Sequence, residues 1–325
     1  MTTSPCWAKQ QTVSHRGRKR VRSVIAVGFA VLIAVGILLI LLPSSSPQPE
    51  TSQRPSSKGA SLPSTSLPTT KEQLNFTDAS RPLESDGSII DASRSLPTTV
   101  IRPATSGTFP LVIFVHGYNS SPSTFTRFTT SLASEGYVVA APSFPLEDPS
   151  RNNGLNRSDL PNEASDVSFV ISQILASDEA THISPRKIAV VGHSDGADVA
   201  LEVGYVRGLS DSRVQAVVAS APDPVAVATI SGGPTLLLIH GSADQIVNPS
   251  SAAQVMSVIH AQTWSLTFNG ADHASAILGP SQWTASFDRA INDFLLATLK
   301  STSSPELLGT LQQIPLATAS YQAGP

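Results

Sequence analysis

The chain has a single cysteine, Cys6, among 325 residues. One thiol cannot form an intrachain disulfide, and both a disulfide framework and a Cys-based zinc site are excluded. Charge is also scarce. Asp, Glu, Lys and Arg make up 14% of the residues, so much of the surface must be Ser, Thr, Asn, Gln and Ala. The positive charge is unevenly placed: Lys9, Arg16, Arg18, Lys19, Arg20 and Arg22 all precede the first acid, Glu50. The whole chain carries −3, and with those six set aside the remainder carries −9. Such a remainder has no basic face of the kind that binds nucleic acid. Hydrophobic residues reach 40%, enough for one good-sized core with appendages.

One long apolar run stands out. Residues 24–42 read VIAVGFAVLIAVGILLILL without a charge, long enough to cross a bilayer core of about 30 Å as a helix. The basic cluster lies just before it and no comparable cluster follows. The positive-inside rule then places residues 1–23 in the cytoplasm and the rest outside. The alternative is a cleaved signal peptide, but those have an apolar core of about 7–15 residues and a small-x-small cleavage site. This run is longer and ends in Ile-Leu-Leu-Pro, which favours an uncleaved signal anchor. Residues 43–75, rich in Ser, Pro and Thr at their start, read as a disordered linker, because they offer too little apolar surface to offset ordering entropy. Residues 76–300 read as the folded domain and 301–325 as a flexible C-terminal tail.

Within the folded part, short apolar runs alternate with helical periodicity. Strands are expected at 98–101, 109–115, 137–141, 187–191, 214–219, 235–239 and 264–268. Helices are expected at 124–135, 162–176, 197–206, 250–259 and 283–299. Alternation of this kind predicts an α/β protein with a mostly parallel sheet and helices on both faces. Ligands in such sheets sit beyond the carboxyl ends of the strands. His116, Ser194, Asp244 and the loop before His273 each follow a predicted strand, so they should meet at one sheet edge.

The run Val190-Val191-Gly192-His193-Ser194-Asp195-Gly196 joins an apolar strand to a helix through Gly-x-Ser-x-Gly. This spacing forces the serine into a sharp turn with its hydroxyl exposed at the top of the sheet. The two glycines are required there because side chains would collide with neighbouring backbone.

Together with His116-Gly117-Tyr118, the stretch from Gly241 to Val247, and Ala271-Asp272-His273, this run resembles the α/β-hydrolase superfamily over roughly residues 94–299. The closest likeness is to compact, lid-poor serine esterases of the platelet-activating-factor acetylhydrolase, chlorophyllase and polyester-hydrolase kind, with dienelactone hydrolases nearby. Dienelactone hydrolases proper use a cysteine nucleophile, so that activity is not expected. The resemblance implies Ser194 as nucleophile, His273 as general base and then acid, and Asp244 as the acid orienting it, in the superfamily's chain order. Asp223, after the preceding strand, is the rival acid. The remaining histidines fit less well: His15 lies in the basic tail, His182 and His260 follow helices, His240 precedes the acid loop, and His116 and His193 are motif neighbours.

The resemblance further assigns the oxyanion hole to the backbone N–H groups of Tyr118 and Asp195. Asp195 departs from many relatives, which carry Met, Gln or Leu there. Its carboxylate would repel an oxyanion if turned inward, so it is expected to point away. Tyr118, Pro222, Ile246 and Val247 are expected to wall a shallow, uncapped cleft. No metal or organic cofactor is implied, and the oligomeric state is open. The leading expectation is a membrane-tethered, extracytoplasmic serine carboxylesterase acting on short-chain or surface-exposed esters through an acyl-enzyme. An acyltransferase or peptidase on the same triad, or a non-catalytic binding protein retaining the fold, remain alternatives.

Overall fold

A strand with no polar alternation must be buried on both faces, and Phe109–Val115 behaves accordingly. Every residue after Phe109 is buried, and the strand lies inside a nine-stranded sheet. The computed structural model describes residues 66–223, 230–300 and 305–325. The expected cytoplasmic tail and membrane anchor lie outside the described residues, as does most of the expected linker. Among the described residues, no helix is long and apolar enough to cross a membrane.

The strands of the main sheet are β1 (Thr69–Asp78), β2 (Arg94–Pro103), β3 (Phe109–Val115), β4 (Val138–Pro142), β5 (Ile183–His193), β6 (Val214–Ser220), β7 (Thr235–Gly241), β8 (Thr263–Phe268) and β9 (Ala317–Gln322). Their spatial order is β1-β2-β4-β3-β5-β6-β7-β8-β9. From β4 to β8 every neighbouring pair is parallel. Antiparallel strands flank this block, β1 and β2 at one side and β9 at the other.

Side chains alternate across β3 into two cores. Leu111, Ile113 and Val115 face α2 (Leu160–Leu175) and α3 (Asp195–Tyr205). Val112 and Phe114 face α1 (Thr126–Ser134) and α6 (Thr284–Leu295), where Phe128, Phe287 and Phe294 pack. The helices α4 (Ser251–Val258), α5 (Ser275–Leu278) and α7 (Pro305–Leu311) complete the two layers. The mostly parallel sheet with helices on both faces is therefore as expected.

The expected ends of the folded part differ from what is observed. β1 begins inside the stretch expected to be linker and pairs with β2 over ten residues. The stretch expected to be a loose tail contributes α7 and β9, and Leu307, Leu311 and Ile314 are buried in the second core. The physical reason is edge exposure. Only Asp78 is buried in β1 and no residue is buried in β9, so neither strand carries the apolar pattern by which a strand is read.

A buried ionic knot fastens β2 to α2. Arg94 has no exposed surface. Its Nε donates to Asp166 Oδ1 at 2.8 Å, and its Nη2 donates to Asp159 Oδ2 and Asp166 Oδ2, both at 2.6 Å.

Candidate active site

Parallel strands end at the same edge, and the residues singled out by the sequence meet there. Ser194 follows β5 and caps α3 with φ 58° and ψ −128°, a strained conformation for a non-glycine residue. Its neighbours make the turn possible. A Cβ at Gly192 would lie 1.9 Å from Gly196 O, and one at Gly196 would lie 2.2 Å from Val115 O. The Ser194 N–H donates to Ser220 O at the end of β6, 2.9 Å away.

Asp244 and His273 come from two loops that lie against each other. Ala243 N–H donates to Ala271 O at 2.9 Å, and Gly270 N–H donates to Ser242 Oγ at 2.8 Å. Asp244, just after β7, presents Oδ2 to His273 Nδ1 at 2.8 Å. His273 Nε2 is 3.0 Å from Ser194 Oγ. The Asp244 side chain is fully buried and His273 is 17% exposed. Burial alone would raise the Asp244 pKa. The hydrogen bond from His273 and the N–H groups of Val247 and Ile246, both on Oδ1, outweigh it and hold the carboxyl below its usual range. Asp244 is thus an anion aimed at His273. The rival Asp223 sits elsewhere, with its Oδ2 2.9 Å from Arg157 Nη2. Asp272 turns away from the imidazole next to it and accepts the N–H groups of Ala274 and Ser275 at the start of α5.

Two neighbouring histidines are held neutral. His193 is buried, and burial followed by the proximity of His273 lowers its pKa to about 3. Its ring lies 4.9 Å from that of His273. Burial likewise lowers His116 to about 4. The Phe144 N–H donates to His116 Nε2 at 3.2 Å, and Nδ1 lies 3.1 Å from Gly117 O. The proton therefore resides on Nδ1, and the ring braces the turn before Tyr118. A Cβ at Gly117 would meet Ser194 Cβ at 2.9 Å and Asp195 N at 3.5 Å. This glycine is what lets the Tyr118 turn approach the start of α3. Asp195 is the first residue of that helix, where N–H groups lack intrahelical partners.

The expected cleft walls divide into two pairs. Tyr118 and Ile246 are exposed, at 46% and 75%. Pro222 and Val247 are buried and serve the scaffold: Pro222 O accepts from Ser251 Oγ at 2.6 Å, and Val247 O lies 3.1 Å from His240 Nε2. Both were apolar residues next to the site, and both are spent on packing the loops. A cleft of about 600 Å³ lies at the opposite sheet edge, against Ser210, Asp211, Val214 and Thr235, and contains none of the predicted site residues.

Two contacts escaped the sequence reading. His240 Nε2 approaches Asp244 Oδ2 at 3.2 Å, so a second imidazole faces the acid. The four-residue spacing in His240-Gly-Ser-Ala-Asp244 was the available signal. Arg157 forms a bidentate pair with Asp195, with Nε to Oδ2 and Nη2 to Oδ1 both at 2.6 Å. No local pattern could announce a pair 38 residues apart.

Glu147 lies close to this pair, with no exposed surface and, among the described residues, no hydrogen-bond partner on either oxygen. Burial, then the Asp195 charge, raises its pKa from 4.5 to about 8, with Arg157 opposing. Below the unfolded value both states hold the proton. Between 4.5 and about 8 the unfolded chain releases it while the folded chain retains it. Stability therefore falls as pH rises, by about 1.4 kcal/mol per pH unit from this group. Glu147→Gln should match the wild type near the lower end of that window and exceed it increasingly towards the upper end. Urea midpoints across the range check this, and a constant gap contradicts it.

Sheet order, the sharp turn at Ser194 and the placement of Asp244 and His273 after successive strands define an α/β-hydrolase. A family model described as Chlorophyllase matches residues 75–242, just over half of the chain, and the chain belongs to the chlorophyllase family. The match ends two residues before Asp244. Chlorophyllase-1, chloroplastic, of Citrus unshiu is 30% identical over 116 residues, 34% of this chain and 33% of that protein. Chlorophyllase type 0 of Chenopodium album is 28% identical over 138 residues, 40% of this chain and 38% of that protein. The matched stretch thus spans only a third or slightly more of these relatives. Among solved structures, a ferulic acid esterase from Streptomyces cinnamoneus superposes with a TM-score of 0.62 at 19% identity, covering 80% of this chain and 98% of that one. At that identity the likeness is one of fold.

Proposed function

We propose that this protein is a serine carboxylesterase working through an acyl-enzyme, with Ser194 as nucleophile, His273 as base and acid, and Asp244 as orienting acid. The observation that carries the reading is the continuous relay from Asp244 Oδ2 through His273 to Ser194 Oγ, at 2.8 and 3.0 Å. A serine hydroxyl is a weak nucleophile until a base takes its proton. In the proposed cycle Ser194 Oγ attacks the ester carbonyl carbon as its proton passes to His273 Nε2. Asp244 holds the imidazole in the right tautomer and stabilises the imidazolium. The oxyanion is received by the N–H groups of Tyr118 and Asp195, each such donor contributing about 2.7–4 kcal/mol. The tetrahedral intermediate collapses, and the alcohol leaves with the proton from His273. Water, deprotonated by His273, then attacks the acyl carbon, and the second tetrahedral intermediate collapses to the acid as the proton passes from His273 Nε2 back to Ser194 Oγ.

The exposed flanks at Tyr118 and Ile246 favour short acyl groups or esters presented on a bulky body over a long chain that must be enclosed. The names of the relatives, chlorophyllase and ferulic acid esterase, point to ester substrates in general. The 19 apolar residues at 24–42 behind a basic cluster support a tether with residues 1–23 cytoplasmic and the enzyme on the far side of the membrane.

The full chain should be assayed in isolated membranes, before and after an alkaline carbonate wash, on p-nitrophenyl esters from acetate to palmitate. The reading predicts activity that stays with the washed membranes and is greatest on the short esters. A folded chain without turnover overturns the esterase, and release of activity by the wash overturns the tether.

A further inference from the structure

The proposed cycle gives no part to Arg157, which grips a carboxylate beside the nucleophile. A carboxylate at position 195 belongs to the same residue whose N–H is assigned to the oxyanion. Left free, it could turn towards the charge that develops on the substrate, and like charges in a poorly solvated site repel strongly. The structure gives it a fixed alternative. Arg157 clamps both oxygens at 2.6 Å, and the same Nη2 reaches Asp223 at 2.9 Å and Asp198 at 3.8 Å. The acidic trio is ordered from within as well, since Asp198 Oδ1 accepts the Asp223 N–H at 2.8 Å.

The segment that carries Arg157 is held in place from outside the site. The adjoining Asn156 donates its N–H to Leu146 O at 2.9 Å and accepts the Ser158 N–H on its side chain at 3.0 Å. Its amide also donates to Ser85 Oγ at 3.0 Å and Asp86 Oδ1 at 3.2 Å, in a hairpin formed by residues 83–91. The turn of that hairpin takes positive φ at Asp86 and Gly87, the signature of a tight two-residue connection. Arg157 therefore projects from a braced loop. A planar guanidinium that binds a carboxylate by two parallel bonds fixes its direction as well as its charge, which a lysine ammonium does not.

We propose that Arg157 is a positioning residue for the esterase reaction: it holds the Asp195 carboxylate away from Ser194, so that the Asp195 N–H meets the oxyanion without the charge of its own side chain. The inference rests on the esterase reading above. It makes Arg157 necessary only because residue 195 is an acid. The loss caused by removing Arg157 must therefore shrink when that charge is removed too.

The test is a double-mutant cycle in the full chain, with kcat, KM and thermal midpoint measured for Arg157→Ala, Asp195→Asn and the pair. Arg157→Ala is expected to lower kcat on the order of 10- to 100-fold with KM little changed, the mark of an interaction acting on the transition state. The pair is expected to recover at least about tenfold of that loss relative to Arg157→Ala alone. If the alanine variant does not fold, Arg157→Lys carries the same test: a cation without the bidentate grip should fall between wild type and full loss, and Asp195→Asn should relieve it. Wild-type kcat in Arg157→Ala, or a pair as slow as the single variant, overturns the inference. Absence of Ser194-dependent turnover in the wild type overturns the esterase reading instead, so the two failures are distinguishable.

Discussion

Replacing Ser194 with alanine is expected to lower kcat for ester hydrolysis by at least about 10⁴-fold, and replacing His273 with alanine by a similar factor. The double replacement should be hardly worse than either single one. The reason lies in the relay. Ser194 Oγ is 3.0 Å from His273 Nε2, and His273 Nδ1 is 2.8 Å from Asp244. In the proposed cycle either change removes the same event, proton transfer out of the attacking hydroxyl, so the second change would have nothing further to remove. On the proposed cycle, the residual rate is expected to come from the oxyanion donors and from substrate binding. Michaelis kinetics on a short p-nitrophenyl ester decide the matter. Losses that multiply would show that the two residues act in separate steps.

Removing the guanidinium of Arg94 should have the largest effect on stability. Arg94→Ala is expected to lose about 3–5 kcal/mol, the range for breaking a buried ion pair by deleting one partner. Arg94 is wholly buried, and so are the carboxylates of Asp159 and Asp166 that it bridges. Without it Asp166 keeps the partly exposed Arg81, and Asp159 keeps the neutral Asn162 amide, which donates to Oδ1 at 2.8 Å and brings no counter-charge. The break also frees the start of β2 from α2, which lies beneath the edge strand β1. Equilibrium urea unfolding of wild type and variant measures the difference. A loss below about 1 kcal/mol, the ordinary worth of an exposed pair, would contradict this account of the knot.

How much of this could be read from the residues depends on where each one sits. β3 and β5 were legible because strands buried on both faces must be apolar throughout, as Leu111–Val115 and Ile188–Val191 are. The meeting of Ser194, Asp244 and His273 followed from the fold: each comes after a parallel strand, and such strands end at one edge. β1 and β9 were not legible, since edge strands keep one side in water and Thr69–Asp78 buries only its last residue. Pro222 and Val247 misled because an apolar residue beside a site can face either the substrate or the scaffold, and only packing decides which. Arg157 was invisible for a different reason. Its partners lie far along the chain, Asp195 at the start of α3 and Asp223 after β6, and an ion pair between such distant positions leaves no periodic trace in the chain. The unusual acid at position 195 was the one signal that some counter-charge had to exist.

The proposed cycle depends on covalent acylation of Ser194. The most direct measurement treats the full chain with a fluorophosphonate, followed by digestion and mass spectrometry of the peptides. One phosphonylated residue is expected, Ser194, with labelling abolished in Ser194→Ala and strongly slowed in His273→Ala. Label on a different residue, or none on a folded wild-type chain, would contradict it.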